Sequence, residues 1–369
     1  MDDPSYVDKT ITSLPAAPSR AADDAHYLLV LEGRARGERF ELSGVHTVGR
    51  DVSCSIRLDD PSVSRVHCRI ELRGEAVFVV DNGSTNGSFV EGERVRGALE
   101  LEVGAVLQVG DQLLRHELRS RAEVARELDL AQDLRKARAY VSALIPAPLN
   151  VGALNIDWAY QPSAALGGDL LGYHWLDRAR LALYVLDVCG HGVGPAMHSA
   201  SVLNVVRNQT LPRADFGAPS QVLEQLSRSF PMESHGGMYL TAWYGVLDMT
   251  TRKLRYASAG HPPALLLGEG PVQRLQTKNP PLGTIEDRVY REAEVQLSAP
   301  SRLLVFSDGV FEFERRSKEA PSFESFEQFV ARERFETPAT LQRKLQETAK
   351  TGAFDDDFTL LSVALRAGV

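Results

Sequence analysis

The sequence predicts two folded domains, an all-β sandwich followed by an α+β domain with antiparallel sheets and helices. Three observations support this prediction. The chain has 369 residues, which is more than one ordinary hydrophobic core holds. Short apolar runs separated by Gly, Asn and Asp fill residues 26–118, as in β-sandwiches. From residue 150 onward, strand-like runs joined by short turns mix with helical patterns, which indicates an α+β domain.

The composition argues against several classes of protein. With 43% hydrophobic and 24% charged residues, the chain is typical of globular proteins. A net charge of −8 disfavours general binding to nucleic acid, and no apolar run approaches the ~20 residues of a membrane helix. Cys54, Cys68 and Cys189 form neither a disulfide framework nor a zinc pattern. The start "MDDPSYVDKT" does not resemble a signal peptide, so we expect a cytoplasmic protein.

Two segments flank the sandwich. Residues 1–25 are rich in Pro, Ser, Ala and Asp and are predicted to be a disordered tail. Residues 119–149 are predicted to be a helical linker that ends at Pro146 and Pro148. This helix has an apolar face that either packs on the following domain or pairs with a second copy in a homodimer. The face comprises Leu130, Leu134, Ala137, Val141 and Leu144.

Within residues 150–369, four aspartates are predicted to lie at strand ends. They are Asp169 in "ALGGDLLG", Asp187 in "LYVLDV", Asp308 in "VFSDGV", and either Asp356 or Asp357 before "FTLLSVAL". Carboxylates that converge at one edge repel one another, so such a cluster needs dications. Oxygen ligands without Cys or His favour Mg²⁺ or Mn²⁺, and two such ions clamp a phosphoryl group and activate water. Taken singly, each aspartate is more typical of a turn.

Six stretches in one order resemble the metal-dependent protein phosphatases (PPM family), in the bacterial SpoIIE-like branch. The resemblance covers residues 150–366 and implies an antiparallel β-sandwich flanked by helices. It also implies two Mn²⁺ or Mg²⁺ ions and removal of phosphate from serine or threonine of protein substrates. The stretches are "PSAALGGDLLGYHWL", "LYVLDVCGHGVGPAMHSA", "YASAGHPPALLL", "PPLGTIE", "LLVFSDGVFEF" and "DDDFTLLSVAL".

The resemblance implies which groups hold the metal ions. Asp169 matches the acidic residue of the family's Gly-Gly-Asp motif, and Asp308 matches the Asp-Gly ligand. Asp187 matches the aspartate that bridges both ions, with the backbone carbonyl of Val188 as a further ligand. No protein side chain is expected to be the nucleophile, because the family uses a metal-bound water.

The last motif of the family, Asp-Asp-x-Thr, aligns with Asp356, Asp357 and Thr359. The first member of the pair is the ligand, which selects Asp356 and leaves Asp357 as the fallback. On this register, Asp355 is expected to matter least of the three consecutive aspartates.

The chain departs from the family pattern at two places. The family often continues Gly-Gly-Asp with two aromatics and a second Asp, whereas this chain has Leu170, Leu171 and Gly172. The usual Ser after Asp-Val is Cys189. Neither change removes a named ligand, but both are expected to affect substrate fit or metal affinity.

Two histidines, His191 and His261, are candidates for acid–base chemistry. For both, a structural role in packing or hydrogen bonding is the favoured interpretation, because a metal-bound water is generated without a histidine.

The first domain contains three strings that, in this order, resemble the forkhead-associated (FHA) domain over residues 27–115. They are "TVGRD", "PSVSRVHCRI" and "DNGSTNGSFVEGERV". FHA domains bind phosphothreonine peptides, and arginine, hydroxyl and amide donors on rigid loops suit a phosphate dianion. By motif position, Ser64, Arg65 and Thr85 are expected to contact the phosphate. Arg50 and Asn86 are expected to hold phosphate or peptide backbone.

Three further residues bear on this domain. His67 matches a position that supports the loops, and Glu91 stands where the family commonly has Asn, which affects local loop support. Thr10 or Thr12 of the tail, if phosphorylated, is a candidate ligand for the FHA domain in cis or between two chains; an irrelevant tail is the alternative.

Together these features predict a bacterial signalling phosphatase whose activity is regulated through phosphothreonine recognition. An anti-sigma-factor antagonist is a candidate substrate. One alternative is a phosphopeptide-recruited scaffold with a weak or inactive phosphatase fold. A second is a two-metal hydrolase of small phosphate esters. Substrate, kinase, sign of regulation and choice of Mn²⁺ or Mg²⁺ are not encoded in any motif.

Overall fold

The computed structural model describes residues 23–316, 322–333 and 335–367. These residues divide into two compact units, with the boundary between Ala131 and Gln132. Residues 1–22, which include Thr10, Thr12 and nearly all of the predicted tail, lie outside the described part of the chain. No helix within that part is long and apolar enough to cross a membrane.

The first unit is a β-sandwich, as the sequence predicts. Its two sheets have the strand orders β2-β1-β11-β10-β7-β8 and β4-β3-β5-β6-β9. Apolar residues that alternate along the strands fill the space between the sheets, for example Leu28, Ile70 and Leu107. The strands are β1 Asp24–Val30, β2 Arg39–Leu42, β3 Val45–Gly49, β4 Ile56–Arg57, β5 Cys68–Arg73, β6 Ala76–Asp81, β7 Ser88–Val90, β8 Glu93–Arg94, β9 Ala98–Glu100, β10 Val106–Val109 and β11 Gln112–Ser120.

The predicted linker is the helix α1, Arg121–Leu144. Near its start Val124 is buried with Ala25 and Tyr27 of the first unit, and near its end Val141 belongs to the core of the second unit. Leu134, Ala137 and Leu144 pack partly against that second core, whereas Leu130 is 62% exposed. The C-terminal half of the apolar face therefore packs on the domain that follows it, and pairing with a second copy stays a prediction.

The second unit contains two antiparallel sheets with helices, as expected for its α+β class. The sheets have the orders β12-β13-β22-β21-β18-β19 and β14-β15-β16-β17-β20. Their strands are β12 Leu149–Val151, β13 Leu154–Gln161, β14 Asp169–Trp175, β15 Arg180–Val188, β16 Leu240–Asp248, β17 Lys253–Ala259, β18 Ala264–Leu267, β19 Gln273–Leu275, β20 Ala293–Gln296, β21 Ser301–Phe306 and β22 Phe358–Leu365. The helices are α2 Val193–Arg207, α3 Pro219–Ser229, α4 Phe323–Arg332 and α5 Pro338–Thr348.

Most of the helices and strands in this unit agree with the sequence patterns. Three segments with helical patterns, "GPAMHSASVLNVVRNQ", "PSQVLEQLSRSF" and "PATLQRKLQETAK", correspond to α2, α3 and α5. Pro219 and Pro338 occupy first-turn positions that tolerate proline. The sequence reading missed α4, although Ser322 caps it by accepting from the Ser325 N–H. The segment "VYREAEVQL" has a strand-like pattern throughout, but only Ala293–Gln296 forms a strand.

Candidate metal centre and phosphopeptide site

Asp169 and Asp187 face each other across two neighbouring strands. Asp169 is the first residue of β14 and pairs directly with Asp187 near the end of β15. Asp169 is only 3% exposed, and its Oδ2 has no hydrogen-bond partner among the described residues. Burial, together with the charges of Asp187 and Asp357, raises the pKa of Asp169 well above its ordinary value. A buried carboxylate oxygen without a donor needs a partner that the described residues do not supply.

The two glycines before Asp169 lie in close contact with the other motifs. A Cβ on Gly168 would stand 2.4 Å from the Val188 carbonyl oxygen and 2.8 Å from that of Gly190. A Cβ on Gly167 would stand 2.3 Å from Oδ2 of Asp357. Neither position has room for a side chain, so the Gly-Gly pair lets the loop that carries Asp169 lie against the other motifs.

The sheet that contains β21 and β22 brings Asp308 next to Asp356. The Ser307 N–H donates to the Thr359 carbonyl at 3.1 Å, and a Cβ on Gly309 would stand 2.3 Å from the Asp357 carbonyl oxygen. The turn after β21 therefore lies against the segment that enters β22. Burial and the charge of Asp356 raise the pKa of Asp308 to about 6.

Asp187 is influenced by carboxylates from both sheets. Burial, followed by the charge of Asp308, raises the pKa of Asp187 to about 7, and Asp356 adds to the increase. The carboxylates predicted from the four motifs thus converge around Asp187.

The three consecutive aspartates have three different environments. Asp355 accepts from the Glu314 N–H at 2.8 Å and lies on the surface. Asp356 is exposed and accepts from the N–H of Asp357 at 2.7 Å. Asp357 is 3% exposed, and its carboxylate supports the loop that precedes β14.

The contacts of Asp357 explain why it is buried. Its Oδ1 accepts from the N–H and the Oγ of Ser163 at 2.7 and 2.9 Å, and its Oδ2 accepts from the Asp169 N–H at 3.3 Å. These donors give both oxygens of a buried carboxylate hydrogen-bond partners. Asp357 therefore fixes the position of Asp169, and Asp356 is the member of the pair that faces the other acidic side chains.

The donor set fits hard divalent cations. The predicted set consists of aspartate oxygens and the Val188 carbonyl, and Oδ2 of Asp169 has no hydrogen-bond partner among the described residues. In the described part of the chain, no three His, Cys, Asp or Glu side chains are arranged to hold one ion together. Mg²⁺ is usually bound by only one or two carboxylates and keeps several waters.

The structure gives a reason for one departure from the family pattern. A Cβ on Gly172 would stand 2.5–2.7 Å from ring atoms of Tyr184, which pairs with it across the sheet. The ring occupies the space that a side chain at position 172 would need. For the other departure, Cys189 is half-buried and its Sγ accepts from the Tyr239 N–H at 3.4 Å.

The two candidate histidines lie in different environments. His191 is exposed in the glycine-rich loop before α2. His261 is 1% exposed, and its Nδ1 lies 2.8 Å from Oγ1 of Thr241, which in turn lies 3.2 Å from Oδ2 of Asp187. Thr241 was not predicted from the sequence. It lies next to Asp187 because the register of β15 and β16 pairs the two residues.

Four of the five residues expected to bind phosphopeptide line one open depression of about 560 Å³ in the first unit. They are Arg50, Ser64, Arg65 and Thr85. Ser64 Oγ accepts from the Thr85 N–H at 3.1 Å, so two loops are joined at the depression. Asn86 does not line it; its side-chain amide donates to the Ser62 carbonyl at 2.8 Å and holds the neighbouring loop.

His67 and Glu91 both support loops. His67 is fully buried, and its Nδ1 lies 3.0 Å from the Ser64 N–H, so this nitrogen is the acceptor. The proton is then on Nε2, which donates to the Gly87 carbonyl at 3.0 Å. Glu91 accepts from the Val106 N–H. The supporting role predicted for His67 agrees with these contacts, and Glu91 provides loop support of its own.

Comparison with known families identifies both units. The profile of the stage II sporulation protein E (SpoIIE) family matches residues 177–366, and that of the FHA domain matches residues 46–110.

Two individual relatives each match about half of this chain. A protein named phosphoserine phosphatase RsbP, from Bacillus subtilis, is 31% identical over 51% of this chain and 45% of its own length. Phosphoserine phosphatase RsbU, also from Bacillus subtilis, is 27% identical over 52% of this chain and 55% of its own. The chain therefore spans about half the length of these relatives. The SiaA-PP2C domain of Pseudomonas aeruginosa has the same fold, with a TM-score of 0.56 at 17% identity, over 65% of this chain and 98% of that domain.

Proposed function

The chain belongs to the SpoIIE family and carries an FHA domain before its phosphatase fold, and from this we propose that it is a metal-dependent phosphatase of phosphoserine or phosphothreonine proteins. The convergence of aspartates from both sheets around Asp187 is the observation that carries the proposal. The names of RsbP and RsbU, as phosphoserine phosphatases, support this class of substrate. An anti-sigma-factor antagonist is the candidate substrate that we propose to test first.

In this proposal, Asp169, Asp187, Asp308, Asp356 and the Val188 carbonyl hold two Mn²⁺ or Mg²⁺ ions. Such ions, when bound, polarise a phosphoryl group and lower the pKa of water.

Contacts within the protein fix the position of the predicted ligands. The backbone N–H of the buried Asp169 donates to the carboxylate of Asp357. Asp356 is exposed, so the site is open to a phosphoserine or phosphothreonine on the surface of another protein. No protein nucleophile is needed for a direct attack of water on phosphorus.

The proposal is tested with purified full-length protein, Mn²⁺ or Mg²⁺, p-nitrophenyl phosphate and a phosphorylated anti-sigma-factor antagonist. We expect metal-dependent release of phosphate from both substrates. No release under any condition would favour the scaffold alternative. Efficient turnover of the small ester with an inert phosphoprotein would favour the hydrolase of small esters. Phosphoproteomes of cells with and without the protein would then identify its natural substrate.

The first unit is proposed to bind a phosphothreonine peptide in the depression that Ser64, Arg65 and Thr85 line, with Arg50 at its edge. Its guanidinium, hydroxyl and amide groups suit a phosphate dianion. Asn86, whose amide holds the Ser62 carbonyl, contributes by keeping the loop in place and leaves its Oδ1 for the peptide backbone.

We expect Arg65→Ala to weaken binding of a phosphothreonine peptide library roughly 10- to 100-fold, because a hydrogen bond to a charged group contributes about 1.5–3 kcal/mol. Binding is measured by fluorescence anisotropy with full-length protein. Arg69→Ala is the matched control, because Arg69 pairs with Glu71 on the surface, outside the depression. Equal binding by the two variants would contradict the assignment. Tail peptides phosphorylated at Thr10 or Thr12 belong in the same assay, and their failure to bind would end the tail hypothesis.

A further inference from the structure

Thr241 stands between a carboxylate of the proposed metal centre and a buried histidine. It lies opposite Asp187 in the register of β15 and β16, and its Oγ1 is 3.2 Å from Asp187 Oδ2. The same Oγ1 is 2.8 Å from His261 Nδ1. None of the acidic motifs includes either residue, and His261 is too deeply buried to touch a substrate.

The direction of both hydrogen bonds follows once Asp187 is ionised, as a metal ligand has to be. An ionised carboxylate only accepts, so the single hydroxyl proton of Thr241 is donated to Asp187. The lone pairs of Thr241 Oγ1 then accept from His261 Nδ1–H, the tautomer that leaves Nε2, which has no hydrogen-bond partner among the described residues, without a proton. Burial lowers the pKa of His261 to about 3, so the imidazole is neutral and has one N–H to give. The opposite arrangement would turn the lone pairs of Thr241 towards a carboxylate.

Backbone contacts hold His261 in this position. The residue before it, Gly260, has a positive φ of 62° and forms a bridge with Ala242, the neighbour of Thr241. Gly260 also packs against Pro281, whose Cγ would stand 2.6 Å from a Cβ at this position. The bridge at Gly260 therefore places the histidine that follows it next to Thr241.

We propose that Thr241 and His261 are positioning residues that orient Asp187 for metal binding. This inference rests on the proposed function, since it concerns the carboxylate at the centre of that site. A fixed donor on Oδ2 prevents the Asp187 side chain from rotating and leaves its other lone pairs for the cation. Partners that orient a ligand in this way typically change metal affinity by about 10- to 100-fold when removed.

The test measures Mn²⁺ binding to full-length protein by titration calorimetry, alongside the Mn²⁺ dependence of p-nitrophenyl phosphate hydrolysis. We expect Thr241→Val, which keeps the shape and removes the hydroxyl, to raise the Kd for Mn²⁺ at least tenfold. The rate at saturating Mn²⁺ should fall less than the affinity. Thr241→Ser retains the hydroxyl and should restore Mn²⁺ binding to within about threefold of wild type. Thr250→Val, in the exposed turn at the other end of β16, is the control.

A second pair of variants tests the histidine. His261→Asn offers an amide N–H near the position of Nδ1 and should bind Mn²⁺ more tightly than His261→Leu does. This pair also decides the matter if Thr241→Val fails to fold, as judged by circular dichroism. Wild-type Mn²⁺ affinity in a folded Thr241→Val or His261→Leu variant would overturn the inference. If wild-type protein itself binds no Mn²⁺ or Mg²⁺, the proposed function fails instead.

Discussion

Replacing Asp187 by asparagine is expected to abolish phosphatase activity and, at the same time, to make the metal-free protein more stable. Asp187 lies at the centre of the acidic cluster, so the neutral amide should reduce metal-dependent hydrolysis by about 10³-fold or more, in line with loss of a group that acts only in the loaded site. In chelator, the same change removes a carboxylate that is surrounded by Asp169, Asp308 and Asp356. Functional sites commonly cost stability in this way.

The pH dependence follows from the direction of the pKa shift. The folded-state pKa of Asp187 is raised from 3.8 to about 7, so the folded state binds this proton more tightly than the unfolded state does. Metal-free wild-type protein therefore loses stability as the pH rises from about 4 to about 7. Asp308, with its pKa raised to about 6, contributes in the same direction. The asparagine variant has no ionisable group at position 187, so its stability does not fall with pH on account of this residue.

The measurement is thermal unfolding in chelator at pH 4.5 and pH 8. We expect the Tm of the variant to exceed that of the wild type by roughly 5 °C at pH 8, and by much less at pH 4.5. Excess Mn²⁺ should stabilise the wild type and not the variant, because only a ligand that binds the folded state shifts unfolding. Asp129→Asn, an exposed change in α1, is the control. A variant less stable than wild type in chelator at pH 8 would show that repulsion between the carboxylates does not destabilise the metal-free protein.

The three consecutive aspartates are expected to respond differently to substitution. Asp356→Asn should reduce activity by about 10²-fold or more with little change in stability, because the side chain is exposed and faces the acidic cluster. Asp357→Asn should lower both activity and stability, since one of its oxygens becomes an amide that cannot accept from Ser163 or Asp169. Asp355→Asn should retain most of the activity, because its contact is with the Glu314 backbone on the surface.

Activity with saturating Mn²⁺ and thermal unfolding, measured for all three variants, separate these roles. Asp355→Asn serves as the internal control for the loss of one negative charge from the triplet. If Asp355→Asn were inactive while Asp356→Asn kept wild-type activity, the register of the last motif would be wrong. If Asp357→Asn were inactive but as stable as wild type, Asp357 would have to be a ligand rather than a support.

The sequence predicts the fold class and the positions of the acidic motifs because both depend on local patterns. The β-sandwich follows from short alternating runs, and the second domain from ordered motifs that resemble one family. The choice of Asp356 over Asp357 came from the resemblance alone, because spacing treats the neighbours equally. Their different burial arises from the approach of Ser163 and Asp169, almost 200 residues earlier in the chain.

What the sequence did not predict depends on tertiary contacts. Thr241 belongs to no recognised motif, and only the pairing of β15 with β16 places it next to Asp187. The side-chain amide of Asn86 donates to the Ser62 carbonyl, a contact that a linear pattern cannot indicate, and its expected contact with phosphate or peptide backbone stays a prediction. Helix α4 was not predicted, although its phenylalanines at positions 323, 326 and 329 follow three-residue steps that suit a helical face. In the structure Phe326 packs against Phe306 of β21.

The place of β22 within its sheet has a consequence for biosynthesis. This strand is the last of its sheet to be synthesised, yet it lies between β13 and β21, and the loop that enters it carries Asp356 and Asp357. While a nascent chain emerges from the ribosome, the first unit can complete its own core early. The sheet that contains β13 and β21 lacks the strand between them until residue 365 is available. The acidic cluster is incomplete throughout that interval. A polypeptide released before β22 would keep a folded first unit and lack a complete acidic cluster.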